Sequence, residues 1–369
     1  MRAIVLVGGE GTRLRPLTWR TPKPLVPVLN RPLIEHLLLH LHRHGVRRVT
    51  LAMSGRGEAI RRVLGDGSAL GLGLDFAYEQ RPLGSGGAIA HVGRIWREQG
   101  EPAGEPFVVL NGDILTDLDL GAMARAHRAR RAEISIGLVR VDDPSAFGVA
   151  VLSGAGGRPE EGALIERFVE KPPPGSAPSR WANAGVWIFE PGLLDEMDPD
   201  RFHRVEEELF PSLAAAGRVL LGVAHEGSWR DVGTPAAYLE ANLELLRSGA
   251  SEKGELNAGA EGRGPVLVGA GSRVDDGACL EGPAVVGERC WLAPGARVSR
   301  SVLWEEVRVA EGASVSGSVL ASGSVVGAGA CVRGAVLAHG ARVPPGARVP
   351  EGTSLAPGAT FAAGGEDGA

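Results

Sequence analysis

The sequence is poor in lysine, in cysteine and in long apolar runs. Its 369 residues include 39 basic ones, yet Lys23, Lys171 and Lys253 are the only lysines. The three cysteines are odd in number and fit no metal spacing, which favours a reducing cytoplasm. The first apolar run, Ala3–Val7, is too short for a signal peptide or a membrane span. A net charge of −5 without a basic run argues against nucleic acid as a partner.

The scarcity of lysine makes the remaining lysines informative. Lysine is a compact and flexible point charge, whereas arginine is a bulky planar fork, so a tight phosphate pocket can require lysine. Lys23 lies in Pro22-Lys23-Pro24, where the prolines stiffen the loop, and Lys171 follows Glu170. These two lysines are therefore candidate functional residues, the alternative for Glu170-Lys171 being an exposed ion pair worth at most about 1 kcal/mol. Lys253, in a polar stretch, is predicted to have no such role.

The length and the 44% apolar content predict a globular chain of two domains. Residues 1–248 alternate short β-branched runs with helical patterns, which is typical of an α/β domain. Thr234 followed by Pro235 predicts a helix start, with the threonine as N-cap. The predicted strands are Ala3–Val7, Val49–Met53, Phe107–Leu110, Ile134–Val141, Gly148–Leu152, Val186–Phe189 and Val219–Val223.

A repeat follows a small, polar stretch at residues 249–264, which we predict to be a linker. Apolar residues first recur every six positions, from Val268 to Val298, and then fall into three ladders with a spacing of 17. The ladders are Val298, Val315, Val332 and Val349; Val309, Val326 and Val343; and Leu303, Leu320 and Leu337. This pattern predicts a parallel β-helix over residues 265–357, followed by a flexible tail at 358–369. It resembles the left-handed hexapeptide-repeat family.

The first predicted strand ends in a glycine-rich turn, Gly8-Gly9-Glu10-Gly11-Thr12-Arg13. Glycines allow backbone N–H groups to approach an anion closely at the end of a strand in an α/β sheet. The turn is not a P-loop, because no Gly-Lys-Ser/Thr follows. It is not the dinucleotide fingerprint either, because Leu14 stands where a glycine or alanine is needed.

The turn continues into Leu14-Arg15-Pro16-Leu17 and then Thr21-Pro22-Lys23-Pro24-Leu25, and this combination resembles the sugar-1-phosphate nucleotidyltransferases. The resemblance extends along the first domain through five further motifs: Pro82–Ala88, Asn111–Asp113, Phe168–Pro172, Asn183–Gly185 and Trp229–Thr234. With a β-helix behind this domain, the chain is most similar to the mannose-1-phosphate guanylyltransferases. The resemblance implies a Rossmann-like mixed sheet, and transfer of a nucleotidyl group to a sugar 1-phosphate with release of pyrophosphate.

The resemblance also implies roles for individual residues. Arg13 and Lys23 would bind the triphosphate, and Asp113 and Asp231 would hold Mg²⁺; these four are the predicted catalytic residues. Lys171 would hold the phosphate of the sugar 1-phosphate and Glu170 its hydroxyls, with Asn183 and Gly148 completing the sugar site. The full set of predicted substrate-binding residues is Leu6, Gly8, Gly9, Gly11, Thr12, Glu79, Gly84, Asn111, Gly148, Glu170, Lys171 and Asn183.

The choice of base depends on Glu79, which lies where relatives contact the base edge. A carboxylate accepts two hydrogen bonds, which suits the N1–H and 2-amino donors of guanine, so GTP is favoured. The adjacent Gln80 is an alternative reader of the base, and Leu6, Gly8 and Gly9 would flank the base and ribose. GDP-heptose, UDP-sugar and dTDP-glucose remain alternative products, and a non-catalytic paralogue that binds nucleotide-sugar is an alternative function.

The histidines of one predicted helix and the single histidine of the repeat are not expected to be catalytic. His36, His40 and His44 share one helical face, which we expect to be solvated rather than metal-binding. Some hexapeptide-repeat domains are acyltransferases, but His339 is the only histidine after residue 264, so we expect the β-helix to serve assembly or regulation. The sequence thus predicts a cytoplasmic homo-oligomer that associates through the β-helix, with no membrane partner.

Overall fold

The computed structural model describes residues 1–55, 57–100, 104–153, 162–249 and 261–362. The chain divides into two compact units. The first consists of Met1–Gly9 and Ile34–Arg230, and the second of Glu10–Leu33 and Asp231–Ala369. Most of the predicted linker, 250–260, and the end of the predicted tail, 363–369, lie outside the described residues. Among the described residues, no helix combines the length and the apolar character needed to cross a membrane.

The first unit is built on a mixed sheet of nine strands within the described residues. The four strands at one edge are parallel, whereas antiparallel pairs join most of the others. The α/β prediction is therefore confirmed. The strands, in their order across the sheet, are Gly73–Tyr78, Arg48–Met53, Ala3–Leu6, Phe107–Asn111, Trp181–Phe189, Ile134–Arg140, Leu220–His225, Ala163–Glu170 and Gly148–Leu152.

The predicted strands match this sheet closely, because their apolar runs are buried. Ala3–Val5 and Val108–Leu110 are fully buried, as expected for parallel strands covered on both faces. The predicted strand Val186–Phe189 is longer in the structure and begins at Trp181. Two short strands pair outside the main sheet, Ile114–Thr116 and Trp229–Asp231.

Helices follow the strands of this unit. They are Leu33–Arg43, Gly57–Leu64, Gly84–Glu98, Leu120–Arg130 and Phe210–Ala215, with a π-helix at Val205–Leu209 and 3-10 turns at Ser68–Leu70 and Pro191–Asp195. The expectation of a solvated histidine face is wrong for His40, which is buried and packs edge-to-face on His44. Burial lowers the pKa of His40 to about 4.

The second unit contains the early segment 10–33, a helix and the repeat. The segment has 3-10 turns at Thr12–Leu14, Leu17–Trp19 and Lys23–Leu25, and short strands at Pro27–Val28 and Arg31–Pro32. The predicted helix start is confirmed, because the helix spans Pro235–Arg247 and the Thr234 hydroxyl accepts a hydrogen bond from the Ala237 N–H at 3.2 Å.

The repeat forms a parallel β-helix over residues 261–362, with three sheets. The first sheet contains Glu261–Arg263, Cys279–Glu281, Arg297–Ser299, Ser314–Ser316, Cys331–Arg333 and Arg348–Val349. The second contains Val266–Val268, Ala284–Val286, Val302–Leu303, Val319–Leu320, Val336–Leu337 and Ser354–Leu355. The third contains Arg273–Val274, Trp291–Leu292, Arg308–Val309, Val325–Val326 and Arg342–Val343.

The three predicted ladders coincide with the registers of the three sheets. Val298 pairs with Val315, which pairs with Val332, and that residue pairs with Val349. The Leu303 and Val309 ladders run through the other two sheets in the same way. All these side chains are buried, so one aliphatic ladder per sheet makes up the core of the β-helix.

Candidate active site

The glycine-rich turn packs closely against Lys23 within the second unit. Gly11 has a φ of 62°, a left-handed conformation that favours glycine, and its carbonyl accepts a hydrogen bond from the Thr18 hydroxyl at 2.7 Å. A Cβ on Gly11 would lie 2.9 Å from the Cβ of Lys23. The Lys23 side chain is 9% exposed, although it carries a charge. The turn therefore buries the stem of this lysine, while the neighbouring Thr12 is exposed.

Arg13, Lys23 and Asp231 form one cluster of charges. The Arg13 Nη2 lies 3.6 Å from Asp231 Oδ2, and the Lys23 Nζ lies 3.9 Å from Asp231 Oδ1. Two cations, Arg13 and Lys23, thus lie beside the same carboxylate. Gly233 makes room for the cluster, because a Cβ there would lie 2.8 Å from Asp231 Oδ2 and 3.2 Å from the Arg13 guanidinium. The cluster is suited to an anionic ligand.

In the first unit, the predicted base-reading residue Glu79 lies beside Gly8. A Cβ on Gly8 would be 3.6 Å from Glu79 Oε1, and the Gly8 carbonyl accepts a hydrogen bond from the Ser54 hydroxyl at 2.5 Å. The other carboxylate oxygen of Glu79 accepts the Leu83 N–H at 3.0 Å. Burial raises the pKa of Glu79, and the Leu83 hydrogen bond opposes that shift. Gly8 and Gly9 are both exposed, so the backbone here is open to a ligand.

Leu6, Asn111 and Asp113 lie at the carboxyl ends of neighbouring strands. Leu6 and Asn111 are paired in the parallel register, and the Gly112 N–H donates to the Leu6 carbonyl at 2.9 Å. A side chain at residue 112 would lie 2.4 Å from Val7, so the tight turn requires glycine. Asp113 follows this turn and is half-buried. This edge of a parallel sheet is where α/β proteins bind ligands.

Gly148, Glu170 and Lys171 come together where two antiparallel strands meet. Gly148 is paired with Glu170, and a Cβ on Gly148 would lie 2.7 Å from Glu170 Oε2. The Lys171 Nζ lies 3.2 Å from Glu170 Oε1, and the lysine side chain is 58% exposed. Lys171 has a φ of 43°, which is uncommon for a residue other than glycine. The Glu170–Lys171 ion pair, which the sequence offered as the alternative to a binding role, is thus present. The Lys171 ammonium group is nevertheless accessible to solvent.

Asn183 uses its side-chain oxygen within the protein. Asn183 Oδ1 accepts the Gly185 N–H at 2.9 Å and the Trp187 Nε1–H at 2.8 Å. Gly185 has a φ of 70° and lies against Asn111. A Cβ built on Gly185 would lie 2.7 Å from Asn111 Nδ2. Of the Asn183 side chain, the NH₂ group is the part left for a ligand. Trp187 is fully buried, as expected for a packing residue.

The Gly84–Ala88 motif begins a helix and receives a neighbouring segment. Gly84 has a φ of 70°, and a Cβ there would lie 2.3 Å from the His203 carbonyl oxygen. A Cβ on Gly86 would lie 2.4 Å from the His203 ring, and one on Gly87 would lie 2.5 Å from the Arg201 carbonyl. The glycines at these positions are therefore required for close packing of residues 201–203 on the helix.

Sequence reasoning missed Glu206, which lies in the π-helix Val205–Leu209. Its Oε2 accepts the Ser85 hydroxyl at 2.5 Å, and the Ser85 oxygen accepts the Val205 N–H at 3.0 Å. Burial raises the pKa of Glu206, and the negative charge of Glu170 raises it further. Single-turn π-helices often occur at functional sites, but this one has no signal in the sequence. Glu206 is thus hydrogen-bonded to Ser85 of the Pro82–Ala88 motif and interacts electrostatically with Glu170.

The structure brings the predicted residues together in groups. Gly11, Arg13, Lys23 and Asp231 cluster in the second unit, and in the first unit Gly8 meets Glu79, Leu6 meets Asn111, and Gly148 meets Glu170 and Lys171. In the described part of the chain, no group of three or more His, Cys, Asp and Glu side chains could hold a metal ion. A magnesium site does not need three such side chains, because Mg²⁺ commonly takes one or two protein carboxylates and completes its shell with water and phosphate oxygens.

Two family models match this chain. The model described as "Nucleotidyl transferase" matches residues 2–248, and the model described as "GMPPB C-terminal domain" matches residues 262–357. Together they span both the mixed sheet and the β-helix.

Curated relatives cover most of the chain. A mannose-1-phosphate guanylyltransferase from Mycobacterium tuberculosis is 37% identical over 314 residues, which is 85% of this chain and 82% of that protein. A probable mannose-1-phosphate guanylyltransferase 3 from Oryza sativa is 36% identical, over 87% of this chain and 86% of the relative. The catalytic subunit beta of mannose-1-phosphate guanylyltransferase from Danio rerio is 36% identical, over 79% and 74%.

Solved structures share the fold of about two thirds of the chain. HddC from Yersinia pseudotuberculosis superposes with a TM-score of 0.54 at 24% identity and covers 66% of this chain and 99% of its own. A putative glucose-1-phosphate thymidylyltransferase from Bacillus anthracis has a TM-score of 0.55 at 23% identity, and covers 66% and 94%. With a family model matched over residues 2–248 and relatives at 36–37% identity, the chain belongs to the nucleotidyl transferase family of sugar-1-phosphate nucleotidyltransferases.

Proposed function

We propose that the protein transfers a guanylyl group from GTP to mannose 1-phosphate, giving GDP-mannose and pyrophosphate. The names of the curated relatives support this substrate pair. The observation that carries the reaction chemistry is the cluster of Arg13, Lys23 and Asp231, with a charged lysine held in a buried position. Burying a charge is costly unless it is paired, and Asp231 lies beside the Lys23 ammonium group, so the cluster can hold this charge in place for an anionic ligand.

The proposed reaction is an in-line displacement at the α-phosphorus of GTP. An oxygen of the mannose 1-phosphate attacks the α-phosphorus, and the bond from that phosphorus to the bridging oxygen of the β-phosphate breaks. The electron pair of that bond leaves with pyrophosphate. Arg13 and Lys23 bind the triphosphate and stabilise the charge that develops on the departing pyrophosphate. Holding both anions in one orientation also offsets their mutual repulsion.

The proposed sugar site consists of Lys171, Glu170, Gly148 and Asn183. The accessible ammonium group of Lys171 binds the phosphate of mannose 1-phosphate, and Glu170 accepts hydrogen bonds from sugar hydroxyls. The absence of a side chain at Gly148 leaves space beside Glu170. The Asn183 NH₂ group is a donor for a sugar oxygen, because Asn183 Oδ1 is occupied within the protein.

Glu79 is the proposed reader of guanine. A carboxylate accepts both the N1–H and the 2-amino group, and the neighbouring backbone at Gly8 and Gly9 is exposed. Because burial raises the pKa of Glu79, its carboxylate form is lost earlier than usual on acidification. Gln80, which is also exposed, is the alternative reader of the base.

Asp113 and Asp231 are the proposed ligands of Mg²⁺. Nucleotidyltransferases of this family generally use a divalent metal, and two carboxylates suit magnesium. When bound, the ion would neutralise negative charge on phosphate oxygens. The role of this chain is then to present the two carboxylates and to keep Arg13 and Lys23 beside Asp231.

We also propose the domain organisation, the assembly and the compartment that the sequence predicts. Residues 1–248 are the catalytic domain, which the family match to 2–248 supports. Residues 265–357 are the predicted β-helix domain, which the match to 262–357 supports and which the strands described from Glu261 onward extend at its start. The protein is a cytoplasmic homo-oligomer that associates through the β-helix, because flat β-helix faces and open coil edges favour self-association. Cys279, Cys290 and Cys331 are free thiols, which is consistent with a reducing compartment.

The test is pyrophosphate release from a panel of triphosphates and sugar 1-phosphates in the presence of magnesium. We expect the highest kcat/KM with GTP and mannose 1-phosphate, and little release without a divalent ion. A preference for UTP or dTTP, or for another sugar, would keep the reaction but replace the substrates. No release with any pair, together with tight binding of GDP-mannose, would instead support a regulatory paralogue.

Variants of the lysines test the assignment of the site. Lys23→Met and Lys171→Met should each lower kcat/KM, by about ten-fold or more for a lost charge-assisted contact. Lys253→Met is the matched control, because the sequence predicts no ligand role for that lysine. Equal activity of all three variants would refute the assignment.

A further inference from the structure

The segment that carries Arg13 and Lys23 belongs to the same compact unit as the β-helix. We call residues 10–33 the signature segment; this unit contains it together with residues 231–369. Asp231 begins the second part of the unit, so three of the four predicted catalytic residues lie in the unit that holds the β-helix. Several contacts within this unit hold the signature segment in place.

The first contact joins Thr21 to the only histidine of the β-helix. The Thr21 Oγ1 lies 3.0 Å from His339 Nε2. Burial lowers the pKa of His339, as does the charge of Arg20, so the ring is neutral at pH 7 and Nε2 can pair with the hydroxyl. The other ring nitrogen, Nδ1, is buried and has no hydrogen-bond partner among the described residues. Among the described residues, the Thr21 contact is therefore the hydrogen bond that the structure gives to this ring.

The backbone between Thr21 and Lys23 is short and stiff, so the position of Thr21 restricts that of Lys23. One residue, Pro22, separates them, and Pro24 follows the lysine. Proline fixes its own φ and restricts the residue before it, so this stretch has little freedom to adjust. A shift of Thr21 would consequently move the Lys23 backbone, and with it the ammonium group 3.9 Å from Asp231.

A second contact reaches the other end of the same loop. The Trp304 indole Nε1–H donates to the Tyr238 hydroxyl at 2.9 Å, and that hydroxyl donates to the Pro27 carbonyl. Trp304 also packs edge-to-face on His339, with ring centroids 5.2 Å apart. The β-helix thus supports the loop from Thr21 to Pro27 at both ends, and Lys23 lies between them.

The helix that follows Asp231 takes part in the same support. Tyr238 is fully buried on helix Pro235–Arg247, and Asn242 of that helix accepts the Leu29 N–H at 2.9 Å. The Asn30 side-chain NH₂ group donates to the Val286 carbonyl of the β-helix at 2.8 Å. Asp231 lies only a few residues before this helix, so the carboxylate and the lysine are held by one framework.

Packing between the signature segment and the coils of the β-helix is incomplete. A cavity of about 340 Å³ is lined on one side by Thr21, Leu25 and Asn30, and on the other by Trp304 and His339. Where side chains do not interdigitate, van der Waals contact cannot define a unique position. Discrete hydrogen bonds, among them those at Thr21 and Pro27, then help to define the position of the segment.

We propose that His339 and Trp304 of the β-helix are positioning residues for Lys23, acting through Thr21 and through Tyr238 and Pro27. The β-helix in this account is part of the active-site framework, in addition to any role in assembly. The inference rests on the proposed role of Lys23 in binding the triphosphate.

The test compares substitutions that keep or remove single hydrogen bonds, using the full chain. Thr21→Ser keeps the hydroxyl, whereas Thr21→Val keeps the shape and removes it. Trp304→Phe removes an indole N–H that reaches Tyr238. Its matched control is Trp291→Phe, which removes an indole N–H that donates to Asp275 elsewhere in the β-helix. The readouts are the Kd for GTP by calorimetry, kcat and KM, and the melting temperature.

We expect Thr21→Val and Trp304→Phe to weaken GTP binding by about three- to ten-fold, the usual net effect of one hydrogen bond. Thr21→Ser and Trp291→Phe should bind GTP like the wild type. In a Lys23→Met background, Thr21→Val should have no further effect on the Kd, because the group it positions is gone.

Two results would overturn the inference. One is wild-type GTP binding by Thr21→Val when Lys23→Met binds poorly. The other is the same fold-loss from Thr21→Val with and without Lys23, which would indicate a merely structural contact. If Lys23→Met itself bound GTP and turned over normally, the proposed role of Lys23 would fail first, and the two failures are thereby distinguished.

Discussion

At the scale of single residues, the site depends on side chains that are absent as much as on those present. Gly233 and Gly11 face the Asp231 and Lys23 side chains so closely that a Cβ at either position would displace them. A glycine-rich motif is usually interpreted as a phosphate cradle. In this protein, Gly11 of the glycine-rich turn packs against the buried Lys23, and Gly233, in a separate motif, leaves room for Asp231 and Arg13.

Gly233→Ala is expected to lower kcat/KM by about ten- to a hundred-fold, since displacements near 1 Å have such effects on catalysis. Its Cβ would lie 2.8 Å from Asp231 Oδ2, so the carboxylate and Arg13 must shift. Steady-state kinetics would measure the loss, and the melting temperature would show whether folding is unaffected. Wild-type kinetics would contradict the geometry.

Glu206→Gln is expected to make the stability less dependent on pH. Burial raises the folded pKa of Glu206 above its ordinary value of 4.5, so the unfolded chain loses this proton first as the pH rises. The stabilisation from Glu206 is full below the unfolded pKa and is lost as the pH rises through the folded pKa. The melting temperature of the variant relative to the wild type should therefore increase over the interval above about pH 4.5, where the unfolded chain has lost this proton and the folded chain still holds it. A constant difference over this interval would show that Glu206 titrates normally.

At the scale of elements, sequence patterns predicted what local chemistry and periodicity determine. The Thr234 cap, the strand Gly148–Leu152 and the three ladders of the β-helix are confirmed, because each follows from spacing within a short stretch or a regular repeat. His40 was misjudged because helical spacing places it on a polar face. Its burial depends on a distant loop that carries Leu118.

Gly84→Ala is expected to destabilise the protein by at least about 1–2 kcal/mol, the cost of a left-handed conformation for a residue with a Cβ. The clash with the His203 carbonyl, 2.3 Å from that Cβ, adds to this cost. Chemical denaturation measures the change. Gly192→Ala is the control, since no atom lies within 4 Å of a Cβ there. Equal stability of the two variants would contradict the packing of residues 201–203 on this helix.

Leu320→Ala is expected to cost about 2–5 kcal/mol, as for other fully buried leucines. Leu320 is 0% exposed and lies between Leu303 and Leu337 in one ladder. Unfolding in denaturant, monitored by the second unit's tryptophans, would report the loss, and Arg333→Ala on an exposed position is the control. A loss below about 1 kcal/mol would mean that the ladder does not carry the β-helix core.

At the scale of the whole molecule, the sequence predicted the order of domains but not the membership of the compact units. The signature segment contacts the helix Pro235–Arg247 and the β-helix through hydrogen bonds that join residues 213 and 318 positions apart, and no local pattern in the sequence predicts such pairs. Glu206 escaped notice for the same reason, because its partner Ser85 is 121 positions away. The candidate residues themselves were identified from sequence motifs. A motif indicates which residue types the chemistry needs, but not how far apart those residues lie in the folded chain.

The central claim is that a compact ammonium group at residue 23 binds the triphosphate, and Lys23→Arg tests it most directly. The substitution keeps the charge but places a bulky planar guanidinium where the lysine side chain is 9% exposed and lies against Gly11. Pyrophosphate release from GTP and mannose 1-phosphate should fall in Lys23→Arg nearly as far as in Lys23→Met, while the melting temperature shows a folded protein. Wild-type turnover by Lys23→Arg and Lys23→Met would contradict the account.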